Sequence, residues 1–135
     1  MFTSPKILTI KSDKSELKKV EAFLSDIFKE YNLSRKNFNN IFLCISEAVV
    51  NSIEHGNNSD CRKMVTIKIS CKGNQLHIEI FDEGEGFDFR NIDDPTKGDN
   101  IKKESGRGIH IIRSLSDSLE YNKKGNSVQL KIDCK

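Results

Sequence analysis

Apolar and polar positions follow two rhythms along this chain, and the switches between them mark its elements. Lys6 to Lys11, KILTIK, is a short β-rich run that predicts a first strand, at a sheet edge. Ser12 or Asp13 then offers an N-cap. From Lys14 to Tyr31, Leu17, Val20, Phe23, Leu24, Ile27 and Phe28 repeat with helical period, which predicts an amphipathic helix with a Lys/Glu-rich outer face. A turn at Asn32-Leu33-Ser34 interrupts it. The next stretch, Phe38 to Gly56, carries Phe38, Ile41, Phe42, Ile45, Ala48, Val49, Ser52 and Ile53 on an i, i+3, i+4, i+7 ladder and predicts a second helix. Ser34 or Asn37 is placed to cap its start, and Gly56 falls where a helix C-terminus favours glycine.

After the polar loop Asn57-Asn58-Ser59-Asp60 the period changes to two. Met64 to Cys71 and Gln75 to Asp82 alternate as strands, joined by a hairpin at Lys72-Gly73-Asn74. Ile67, Ile69, Ile78 and Ile80 are expected to face the helices, and Thr66, Lys68, His77 and Glu79 the solvent. His77 therefore reads as an exposed strand residue rather than a ligand. Phe89 to Ser105 is polar and aperiodic, with Pro95 and Gly98; a loop of that length in a small domain predicts a functional lid or a disordered segment. Ile109, Ile111, Ile112 and Leu115 open a third helix. Ser118 to Asn122 and Ser127 to Asp133 form a second hairpin around Lys123-Lys124-Gly125-Asn126. The order β, α, α, β, β, lid, α, β, β predicts an α/β (α+β) two-layer sandwich: a mixed, mainly antiparallel sheet with about three helices on one face.

Composition narrows the classes. The chain has 135 residues, enough for one domain spanning 1–135 with a real core. A net charge of +2 gives no general case for nucleic-acid or membrane binding. No apolar run is long enough to span a bilayer, and the N-terminus shows no signal-peptide pattern, so a cytoplasmic protein is expected. Cys44, Cys61, Cys71 and Cys134 include no CxxC pair, and no histidine lies at zinc-finger spacing. Structural zinc and a disulfide framework are not expected. Cys44 falls near the apolar face of the second helix, as a small buried hydrophobe would.

The chemistry concentrates beside that face. Glu47, Asn51 and His55 stand at i, i+4 and i+8, along one line of the second helix. The line is either a solvated flank with a capping amide or a ligand-facing edge, with Glu47 a base and Asn51 a metal-ligating oxygen. Two glycine-rich segments flank the lid. In DEGEG, Gly84 and Gly86 let backbone approach a ligand, and Asp82 offers a carboxylate acceptor suited to an exocyclic amine. In GRG, Gly106 and Gly108 precede a helix N-terminus, where free N–H groups favour phosphate. There is no GxxxxGK[ST] and no dinucleotide fingerprint.

ISEAVVNSIEHG, DEGEGFD and SGRGIHIIRSLSD resemble, in order and spacing, the N, G1 and G2 boxes of the GHKL (Bergerat-fold) ATPase superfamily, which includes gyrase-type topoisomerases, Hsp90, histidine kinases and MutL. The resemblance covers nearly the whole chain. ISEAVVNSIEHGNNSD, the short lid and the small size are most similar to the bacterial anti-sigma-factor serine kinases of partner-switching systems. It implies a single histidine-kinase-like ATPase domain using ATP and Mg2+, with a lid at about 89–105. It implies Glu47 as general base, Asn51 as magnesium ligand and Asp82 as acceptor for the adenine amine. Gly84, Gly86 and Phe87 would lie at the adenine and ribose, and Gly106, Arg107, Gly108 and Ile109 at the phosphates. Asn126 takes the place of a threonine near the adenine, and His55 is either a nucleotide contact or a structural helix-end residue. The implied activity is that of a protein serine/threonine kinase acting on a small STAS-type antagonist and binding a sigma factor, as a homodimer. The alternative is a nucleotide-dependent binding regulator of the same fold without kinase activity.

Overall fold

The two rhythms become two layers. The structure is a computed structural model that describes residues 2–83, 118–121 and 127–134. Strands β1 (Lys6–Lys11), β2 (Met64–Lys72), β3 (Gln75–Phe81), β4 (Ser118–Tyr121) and β5 (Ser127–Asp133) form one sheet in the order β1-β2-β3-β5-β4. Each of these pairings is antiparallel. β1 is an edge strand, as its brevity and position suggest. Helices α1 (Leu17–Glu30) and α2 (Phe38–Asn51) contribute to the same hydrophobic core as the strands. The lid, the third helix and residues 84–117 and 122–126 in general lie outside the described residues.

Register explains the layering. Ile67 pairs with Ile80 and Ile69 with Ile78, so all four point to one face, and all four are buried. Val65, Cys71, Leu76, Val128, Leu130 and Ile132 join them. The intervening pairs, Lys68 with Glu79 and Ser70 with His77, occupy the other face. Each aliphatic side chain so buried contributes roughly 1.5–3 kcal/mol. Lys72 pairs with Gln75, which leaves a two-residue turn with Gly73 at φ +60°, a conformation glycine adopts without strain.

The helices are shaped at their ends by polar side chains. Asp13, rather than Ser12, caps the first: its carboxylate accepts from the Ser15 N–H at 2.9 Å and opens a 3₁₀ turn ahead of α1. Val20, Leu24, Ile27 and Phe28 are the buried stripe of α1. It ends at Asn32, at φ +52°, whose N–H donates to Lys29 O while the Leu33 N–H donates to Phe28 O at 2.9 Å. This is a Schellman closure with asparagine in the left-handed position and Leu33 folded back into the core. Of the two candidate caps for the second helix, Ser34 accepts from the Lys36 N–H at 3.3 Å, and Asn37 makes no capping bond. Phe28 and Phe38 then meet edge to face at 5.1 Å, tying the two helices together.

Candidate functional site

α2 is the wall on which the candidate residues gather. Its stripe of Ile41, Cys44, Ile45, Ala48 and Val49 is buried. Glu47 and Asn51 lie one turn apart at the margin of that stripe, Glu47 half-buried. Burial, and after it the Glu47 charge, pushes the Cys44 thiol up to about 11. Cys44 is thus a protonated, inert core residue, as its place on the apolar face implies. Cys71 and Cys134 are also buried and Cys61 is exposed; none of the four forms a disulfide.

Asn51 is only 4% exposed, and its Nδ2 has no hydrogen-bond partner, alone among the buried side-chain nitrogens and oxygens of the described residues. An unsatisfied buried amide costs about 1–3 kcal/mol, which a ligand group meeting it would remove. Rotation of the amide presents its oxygen in place of its nitrogen, so the same side chain suits a hard cation as well as a phosphate oxygen. No group of three or more His, Cys, Asp or Glu suited to a metal occurs among the described residues.

Beyond Asn51 the helix does not stop at a left-handed glycine. It continues as a π turn, Ser52–Gly56, closed by the Asn57 N–H donating to Ser52 O at 2.8 Å. The left-handed residues are Asn58 and Ser59, at φ +52° and +56°. His55 lies within this π turn, past the end of the α-helical stretch that carries Glu47 and Asn51. Its side chain is 37% exposed, with Nε2 3.9 Å from the Glu54 carboxylate, which is itself paired with Lys14.

Gly56 is buried because Asp82, at the end of β3, lies against it. A Cβ at Gly56 would sit within 2.7 Å of Cγ, Oδ1 and Oδ2 of Asp82. Asn57 is fully buried. Its Nδ2 donates to Ser12 Oγ at 2.8 Å and to Met64 O at 3.0 Å, and its Oδ1 accepts from the Glu83 N–H at 2.8 Å. Ser12 passes the network on to Lys63 O at 2.7 Å, and the Met64 N–H donates to the Glu83 carboxylate. The strand end carrying Asp82 is therefore joined to the end of the second helix. Neither Gly56 nor Asn57 stood out in the sequence as a site residue. The only available signal was a glycine and an asparagine directly following the Glu47–Asn51–His55 line. Gly84, Gly86, Phe87, Gly106, Arg107, Gly108, Ile109 and Asn126 lie outside the described residues.

Fold and wall together define a helix-over-sheet domain with a polar edge on the second helix. The family model described as histidine kinase-like ATPase domain matches residues 10–132, and the chain belongs to that family. The anti-sigma F factor of Thermoanaerobacter sp. (strain X514) is 33% identical over 91 residues, 64% of this chain and 63% of that protein. The matched stretch thus spans less than two thirds of that relative's length. The serine-protein kinase RsbW of Staphylococcus epidermidis is 27% identical over 116 residues, 79% of this chain and 72% of its own. Among solved structures, the RsbU and RsbW domains of Rv1364c from Mycobacterium tuberculosis superpose with a TM-score of 0.65 at 17% identity, over 96% of this chain and 32% of that one, a likeness of fold.

Proposed function

We propose that this protein binds ATP with magnesium, phosphorylates a serine of a small STAS-type antagonist protein, and through that antagonist controls a sigma factor. The observation that carries the reading is the convergence of separate segments on one helix. Asn51 holds an unmet buried amide, and Asp82 arrives from β3 against Gly56 of the turn that follows. The relatives named anti-sigma F factor and RsbW serine-protein kinase support the same choice.

In this reading Asp82 accepts a hydrogen bond from the adenine amine. Asn51 supplies the protein oxygen for magnesium, whose charge offsets that of the phosphates. Gly84, Gly86 and Phe87 lie at adenine and ribose with Asn126 nearby. Gly106, Arg107, Gly108 and Ile109 hold the phosphates, and His55 borders the pocket. Glu47 takes the proton of the attacking serine as its Oγ–P bond forms and the bond to the ADP oxygen breaks. Positioning and charge neutralisation provide most of such catalysis, so few reacting groups are needed. The working form would be a cytoplasmic homodimer.

The test pairs binding with transfer. Wild-type protein should bind ATP more tightly with magnesium than without, and form phosphoserine on an antagonist protein. Glu47→Ala should retain nucleotide binding while the transfer rate falls by about 100-fold or more. Bound nucleotide with no phosphoserine on any such antagonist would leave a binding regulator and sink the kinase assignment.

A further inference from the structure

Gly56 and Asn57 have no part in the chemistry above, yet they are the residues that hold the Asp82–Glu83 strand end. Gly56 is required by space rather than by conformation: among the described glycines Gly73 alone has positive φ, whereas a side chain at Gly56 would collide with the Asp82 carboxylate. Asn57 acts from the other side. Its amide oxygen takes the N–H of Glu83, next in the chain to Asp82, while its nitrogen is anchored to Ser12 at the end of β1 and to Met64 at the start of β2. The π turn brings both residues to this junction, and such turns occur often at functional sites.

We propose that Gly56 and Asn57 are positioning residues that aim Asp82 at a purine bearing a 6-amino group, and so set the base specificity of the site. The inference rests on the assignment of Asp82 to the adenine amine. A carboxylate only accepts, so it favours an amine over a bare C–H or a 6-oxo group. That preference depends on direction, because a hydrogen bond weakens steeply once its angle falls below about 120°. A methyl group at Gly56 would turn the carboxylate aside without removing its charge. Removing the Asn57 amide would free the Glu83 N–H and let the strand end shift.

The experiment is calorimetric titration of the whole chain with magnesium and either ATP or purine ribonucleoside triphosphate, which lacks the amine. Wild-type protein should prefer ATP by about tenfold or more, since a site built around a hydrogen bond rejects the analogue that cannot make it. Gly56→Ala should weaken ATP binding by about tenfold while the analogue changes by about twofold or less, so that the preference collapses. Asn57→Ala should show the same collapse together with a lower Tm; if it does not fold, Gly56→Ala alone decides. A Gly56→Ala protein that keeps the wild-type preference, or loses both nucleotides equally, overturns this inference alone. Wild-type protein that binds neither nucleotide overturns the proposed function and this inference with it.

Discussion

Asn51 carries an energetic cost inside the protein that a ligand group meeting its amide would relieve. Its buried Nδ2 has no partner, and an apolar side chain of similar size would not bear that cost. Asn51→Leu should therefore raise the ligand-free unfolding free energy by about 1 kcal/mol, measured by urea denaturation. In the same variant, ATP with magnesium should no longer raise Tm. A loss of ligand-free stability would instead mean that the amide is satisfied within the fold. Glu47 and Asn51 were legible as a pair because one α-helical turn separates them and spacing alone puts them together. Asn57 was not. In the run Asn57-Asn58-Ser59-Asp60 four small polar residues look alike. Full burial of the first, and left-handed backbone at the next two, follow from where β2 re-enters the sheet.

At the scale of elements, helix positions were set by periodicity and helix ends by local geometry. The apolar ladder of α1 appears as its buried stripe, but its stop depends on Asn32 adopting positive φ so that Leu33 can turn inward. Asn32→Gly should stabilise the protein by about 0.5 kcal/mol, because glycine reaches that conformation without strain. Asn32→Val should destabilise it by about 1–2 kcal/mol. Thermal melts of the two variants, which should move in opposite directions from wild type, check this. Gly56 shows the limit of the same rule. A glycine after the last apolar residue is the ordinary sign of a helix C-cap, yet here the helix continues through a π turn and the glycine makes room for Asp82.

Across the whole molecule, stability should be graded from the centre of the sheet outward. β2, β3 and β5 each pair on both sides, whereas β1 pairs only with β2. Native-state hydrogen exchange should find the amides of Ile78 and Ile80 among the slowest. Every second amide of β1 should exchange about 100-fold faster or more, lacking a sheet partner. Uniform protection across β1 and β3 would mean that the β1 edge is covered in solution. No helix among the described residues is long and apolar enough to cross a membrane.

The sequence by itself determined the two layers, the strand order along the chain and the hairpins, because period-two and helical patterns act over neighbouring residues. It determined the Glu47–Asn51 edge for the same reason, and the order of the three motif segments sufficed to indicate the family. Only the tertiary structure decided what that edge faces. Asp82 and Gly56 are 26 residues apart, and Ser12 and Asn57 are 45 apart; no local pattern records that β3 ends against the π turn. That junction exists because β1, β2 and β3 are adjacent in the sheet. Their ends therefore meet beside the turn that follows α2, and a buried asparagine there can bond to all three.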